Sequence, residues 1–192
     1  MTIATYLTLI RIGLIPIFII VFYLPFKWVH LASAIIFSLA ALTDWLDGYL
    51  ARRLRQQSVF GAFLDPVADK LMVAVALVLL VEANHNMLFS VPVVIIIGRE
   101  IAVSALREWM SEIGERATVA VSVIGKIKTT AQMVAILLLL FDQPLFAFPT
   151  HQVGLVLLYV AALLTLWSML IYLRAAWPIL ARNSRDSGSG GA

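Results

Sequence analysis

The chain of 192 residues contains no cysteine. It can therefore form no disulfide framework, no zinc-thiolate site and no catalytic thiol. It is also poor in charge: 13% of its residues are Asp, Glu, Lys or Arg, where a soluble domain carries roughly 25%. Histidine is scarce, at His30, His85 and His151 alone. Apolar side chains are in excess, 62% of residues with a mean hydropathy of +0.98. These figures exclude a soluble globular enzyme, a disordered chain and a fibrous one, and they place the chain in the membrane class. No internal repeat and no second domain are visible. Residues 1–182 read as a single integral-membrane domain. The Ser- and Gly-rich residues 183–192 read as a flexible tail or a cloning remnant.

A membrane-crossing helix needs about 20 mostly apolar residues to traverse a ~30 Å hydrocarbon core. Six stretches qualify, roughly 7–26, 29–50, 64–81, 88–106, 118–141 and 153–173, so the expected fold is an all-α membrane protein of six transmembrane helices. The first stretch has no basic segment before it and holds Arg11 within it, which does not fit a cleaved signal peptide. The first, third and fifth connections share a single basic residue, Lys27, of the 14 in the chain. Arg52, Arg53 and Arg55 follow the second span, Arg107 and Arg116 the fourth, and Arg174, Arg182 and Arg185 the sixth. Positive residues stay on the cytoplasmic side, so both termini are expected there. Trp28, Trp109 and Trp177 fit interfacial belts.

The chemistry is expected where ionisable residues enter the spans, because an Asp at a helix centre costs roughly 2.5–3.5 kcal/mol on insertion scales. Four aspartates stand at the facing ends of spans two and three. Asp44 and Asp47 are three apart and Asp65 and Asp69 four apart, so each pair shares a helix face. A short loop joins the two spans, which lets the faces meet. Asp44 lies about 22 Å along its span from residue 29, some 8 Å short of the cytoplasmic edge of a ~30 Å core. Four like charges at such quarters require protons or cations. Clustered hard oxygen ligands suit Mg²⁺ or Mn²⁺, and two such ions would offset four carboxylates and form a clamp for displacement at phosphorus. All three histidines fall in the opposite connections, out of reach. Gly48 and Ala51 lack bulk on the same face and would let a phosphate approach the backbone. Ion-pair glue between helices and a proton path are the alternatives.

Residues Asp44, Asp47, Gly48, Ala51, Arg52, Gly61, Asp65 and Asp69 follow the spacing D-x2-D-G-x2-A-R-x8-G-x3-D-x3-D. At every fixed position this resembles the CDP-alcohol phosphotransferase family. Segments 7–11, 43–45, 61–70, 99–100, 104–109 and 125–133 are similar to the bacterial members that make phosphatidylglycerophosphate. The resemblance implies six transmembrane helices in a homodimer of the bacterial inner (cytoplasmic) membrane, with the site facing the cytoplasm. It implies CDP-diacylglycerol and sn-glycerol 3-phosphate as substrates and CMP as a product. Membrane lipids would surround the protein, and no nucleic acid would be involved. It assigns Asp44, Asp47, Asp65 and Asp69 to two Mg²⁺ or Mn²⁺ ions, Asp69 also to the general base, and Gly48, Ala51, Arg52 and Gly61 to the CDP moiety. Many members carry Pro-Asn where this chain has Ala4-Thr5, and Thr8 or Thr5 would replace that asparagine.

A phosphorylated acceptor requires basic side chains. Arg11, Lys70, Arg99, Arg107, Lys126 and Lys128 are available, and Arg99, Arg107, Lys126 and Lys128 are taken as the acceptor-phosphate residues. Lys126 and Lys128 lie about 200° apart around a helix, so one pocket hardly admits both. Rival acceptors within the family are serine, inositol phosphate and phosphatidylglycerol. A membrane prenyltransferase also binds diphosphate through Asp clusters but gives no reason for the Gly48–Ala51–Arg52–Gly61 spacing. A transporter or cation channel would be expected to show repeats or broken helices.

Overall fold

The computed structural model describes residues 3–54, 59–112, 123–143 and 148–186. They form six helices: α1 (Ile3–Phe22), α2 (Val29–Leu54), α3 (Val59–Asn84), α4 (Met87–Glu112), α5 (Val123–Phe141) and α6 (Thr150–Asp186). The helices answer to the six predicted spans, with their ends displaced. α1 stops at Phe22, before Pro25, rather than at residue 26. α6 runs 37 residues, past the apolar stretch and through Arg174. Apolarity marks where a helix meets hydrocarbon, whereas backbone hydrogen bonding carries the helix on into water. Among the described residues, Met87–Glu112 and Thr150–Arg174 are long and apolar enough to cross a membrane. The apolar parts of α1, α2 and α5 are shorter, at Tyr6–Phe22, Val29–Asp44 and Ile127–Phe141. Asp44 closes the α2 stretch, and on α5 Lys126 precedes the stretch and Lys128 stands within it.

The connections at the histidine-bearing end are short and locally determined. His85 and Asp142 follow α3 and α5 with positive φ, 42° and 41°. Their N–H groups donate to Val81 O and Leu138 O, both at 3.1 Å. This is the left-handed single-bond cap that ends many helices, supplied here by residue types that tolerate it better than most. Asn86 then opens α4: its Oδ1 accepts from the N–H of Leu88 at 3.0 Å, the work of an N-cap.

The helices pack in a closed circuit, α1 on α2, α2 on α5, α5 on α6, α6 on α4, α4 on α3 and α3 on α1, with α3 also reaching α2 and α5. Among the described residues α4 and α5 do not pack backbone to backbone. The core joins Phe18, Phe37, Leu77, Ile96, Ile136 and Leu158 from all six helices, and alanines fill much of the rest. Small residues let helix backbones approach where no hydrophobic gain drives them together. Gly154 is the sharpest case, since a Cβ there would stand 2.8 Å from Leu139 Cγ. The outer surface is apolar, exposing Ile17, Ile20, Leu39, Val78, Val94, Leu163 and Trp167. Large exposed apolar belts of this kind suit a hydrocarbon solvent, and the chain is a membrane-embedded helical protein.

Candidate active site

The aspartate-bearing ends of α2 and α3 meet α1. Thr8 and Arg11 lie three apart on α1, one face of one turn, and are 0% and 1% exposed. Arg11 Nη1 pairs with Asp44 Oδ1 at 2.9 Å. The Thr8 hydroxyl donates to Asp65 Oδ1. α1 thus offers a guanidinium to one acidic helix and a hydroxyl to the other. A buried arginine within a membrane helix is expected to face the bundle interior and a carboxylate, and Arg11 does both. Asp69, one turn beyond Asp65, lines a small crevice together with Arg11, Ala40 and Met72.

Asp69 also borders a larger cleft of about 660 Å³ between α3, α4 and α5. Its polar side chains are gathered toward Asp69, where Lys70, Glu100, Ser104, Glu108, Lys128, Thr129 and Gln132 line it among Val67, Ile101 and Ala105. Farther along it is apolar, through Val73, Leu77, Ile96 and Ile97. Glu100, Ser104 and Glu108 recur every fourth residue, so one stripe of α4 forms that wall. Lys70 Nζ donates to Ser104 Oγ across it.

The basic residues form a second cluster. Glu100 Oε1 accepts from Arg99 Nη1 at 2.7 Å and from Lys128 Nζ at 2.8 Å. Lys128 thereby spans the gap between α5 and α4. Arg99 Nη2 also donates to Ser168 Oγ at 3.1 Å, and Arg107 Nη2 donates to Tyr172 Oη at 2.6 Å. Arg99 and Arg107 occupy the α4 stripe that faces α6, about 100° around the helix from the Glu100 stripe. Of the acceptor residues chosen from sequence, Lys128 lines the cleft, while Arg99 and Arg107 lie behind its α4 wall. The side chain of Lys126 lies outside the described residues.

Of the nucleotide residues, Thr8 is turned to Asp65 and Gly61 is buried on α3. The surroundings of Gly48, Ala51 and Arg52, like the side chain of Asp47, lie outside the described residues. Among the described residues no three carboxylate or imidazole groups close on one point as metal ligands. The donor chemistry nonetheless fits a hard divalent cation: the oxygens of Asp44, Asp65 and Asp69 belong to adjoining helices, and Asp44 already draws one cation, Arg11. Sequence reasoning missed Glu100 as the hub of the basic cluster, along with Ser168 and Tyr172. The available signals were an acidic residue inside an otherwise basic stretch, and the polar series Thr165, Ser168 and Tyr172 on one stripe of an uncharged span.

The sequence pattern of the family described as CDP-alcohol phosphatidyltransferase matches residues 1–167. A curated relative from Salmonella typhimurium (strain LT2), named CDP-diacylglycerol–glycerol-3-phosphate 3-phosphatidyltransferase, is 57% identical over 174 residues, covering 91% of this chain and 94% of the relative. Relatives of the same name from Pseudomonas fluorescens and Yersinia pestis (strain Pestoides F) are 55% identical over 186 residues and 56% over 180. They are covered to 95% and 96% of their own lengths, and this chain to 96% and 92%. With its motif carried on the α2–α3 ends where those carboxylates gather, the chain belongs to the CDP-alcohol phosphatidyltransferase family.

Proposed function

We propose that this protein transfers the phosphatidyl group of CDP-diacylglycerol to sn-glycerol 3-phosphate, giving phosphatidylglycerophosphate and CMP. The observation that carries the reading is the position of Asp69, between the α2 and α3 carboxylates that meet α1 and a cleft bordered by Lys70 and Lys128. The names of the relatives supply the two substrates.

The C1 hydroxyl oxygen of glycerol 3-phosphate bonds to the phosphorus that bears diacylglycerol. The bond from that phosphorus to the bridging oxygen breaks, and CMP leaves with the bond's electrons. Asp69 takes the hydroxyl proton. Lys128, which lines the cleft, holds the acceptor phosphate, joined from the neighbouring stripe of α4 by Arg99 and Arg107. Lys126, two residues earlier on α5, is the fourth basic residue assigned to it, and Thr8, Gly48, Ala51, Arg52 and Gly61 hold the CDP moiety. Two Mg²⁺ or Mn²⁺ ions held by Asp44, Asp47, Asp65 and Asp69 would, when bound, offset the diphosphate charge and stabilise the departing CMP. A groove of about 370 Å³ lined by Val78, Val81, Val93, Val94 and Gly98 continues the cleft along α3 and α4. From Asp69 to Val81 is about 18 Å of helix, close to half of a ~30 Å hydrocarbon core. That groove would take an acyl chain of the donor while its head group lies at Asp69.

The distribution of basic residues supports six crossings with both termini and the site at the cytoplasmic face of a bacterial inner membrane. The family resemblance supports a homodimer. The deciding experiment is CMP release from CDP-diacylglycerol by the detergent-solubilised protein, offered glycerol 3-phosphate, inositol phosphate, serine or phosphatidylglycerol separately. Release is expected with glycerol 3-phosphate alone, lost with a chelator and restored by Mg²⁺ or Mn²⁺. Release driven by another acceptor would replace the substrate, and full activity under chelation would remove the ions.

A further inference from the structure

Ser168 and Tyr172 lie beyond residues 1–167, which the family pattern matches, yet they hold the two arginines assigned to the acceptor. They lie four apart on α6 and so share a face. Arg99 and Arg107 lie eight apart on α4, about 12 Å along its axis. The Tyr172 hydroxyl accepts from Arg107 at 2.6 Å, and its ring lies 5.1 Å from the Arg107 guanidinium and 5.9 Å from that of Arg99. Ser168 accepts from Arg99 at 3.1 Å. One tyrosine thus reaches both arginines, and a serine one turn away fixes the second.

The chemistry of the partners matters. A carboxylate in the place of Tyr172 would cancel the charge of Arg107 and compete with a phosphate for it. A phenol and a hydroxyl are neutral. Tyr172 fixes the direction of the Arg107 guanidinium while leaving its full charge and most of its five donors available, whereas Arg99, fixed by Ser168, also pairs with Glu100. Buried Arg99 Nε has no partner among the described residues, so at least one donor of this pair is spare. The aromatic face adds attraction without charge.

We infer that Tyr172, assisted by Ser168, is a positioning residue that holds Arg107 and Arg99 ready for the phosphate of the acceptor. This rests on the assignment of those arginines to the acceptor in the proposed function. Tyr172 acts on acceptor affinity through the arginines and touches no reacting atom.

The test is steady-state kinetics of CMP release by the full chain in detergent, varying glycerol 3-phosphate and CDP-diacylglycerol in turn, for Arg107→Ala, Tyr172→Phe and the double variant. Tyr172→Phe keeps the ring and its packing and removes one hydrogen bond to a charged group, so KM for glycerol 3-phosphate should rise about tenfold. The value of kcat, the KM for CDP-diacylglycerol and the thermal midpoint should stay unchanged. Arg107→Ala should raise the same KM further, and the double variant should be no worse than Arg107→Ala, because the tyrosine has nothing left to hold. A rise with Arg107→Ala but none with Tyr172→Phe would overturn the positioning role while leaving the arginine in the pocket. Additive effects in the double variant would overturn it too, since the tyrosine would then act alone. No effect of Arg107→Ala on that KM would remove the arginine from the pocket, and the inference with it.

Discussion

On the α1–α2–α3 side of the molecule, Asp44, Asp65 and Asp69 gather around one guanidinium, that of Arg11, and one hydroxyl, that of Thr8. On the α4–α5–α6 side, Arg99 and Lys128 share one oxygen of Glu100, and Arg107 is held by a neutral tyrosine. The first cluster has carboxylate capacity to spare and suits further cations. The second has cationic capacity to spare and suits an anion. Asp69 lies between them, lining a crevice with Arg11 on one side and the cleft with Lys128 on the other. The proposed transfer of a phosphatidyl group between two anionic substrates would use both kinds of environment on either side of Asp69, and they stand on separate sets of helices.

Substitutions can break this division or sharpen it. The largest effect is expected from Asp69→Asn, which keeps the shape and removes the proposed proton acceptor. Turnover should fall by about 10²–10⁴, with the circular dichroism of the purified protein unchanged. Near-normal turnover would take Asp69 out of the base role. Lys128→Ala should act on the basic side alone. Losing a charge-assisted bond should raise KM for glycerol 3-phosphate roughly ten- to a hundredfold, with KM for CDP-diacylglycerol little altered. An equal rise in both would mean that Lys128 serves the fold through Glu100 rather than the acceptor. The smallest effect should come from Gly98→Leu in the apolar groove. A Cβ at Gly98 meets nothing within 4 Å, so the fold should tolerate the change. Excluding about one methylene of lipid from the groove should raise KM for CDP-diacylglycerol roughly fourfold, and KM for glycerol 3-phosphate should not move. A variant indistinguishable from the parent would place the acyl chain elsewhere.

Much of this was legible in the sequence. The carboxylates announced themselves because an aspartate in a membrane span is costly and its i, i+3 or i, i+4 partner fixes the face. Helix existence followed from apolar runs. Helix ends did not: α4 continues to Glu112 and α6 to Asp186 because a helix does not stop where hydrophobicity does. The fate of Thr8 and Arg11 was hidden, since which carboxylate each meets depends on how α1 lies across α2 and α3. The same holds for Ser168 and Tyr172, whose partners are set by the packing of α6 on α4. The basic stretch of α5 marks Lys128 as an acceptor ligand, but nothing local reveals that it reaches across to Glu100.

That shared oxygen of Glu100 bears on how the acceptor binds. A phosphate reaching Arg99 and Lys128 does not fill a vacant cationic hollow; it exchanges with a resident anion already coordinated by both side chains. If the acceptor phosphate binds there as proposed, affinity for glycerol 3-phosphate would be the difference between two occupants of one seat, and the return of the carboxylate would help product depart.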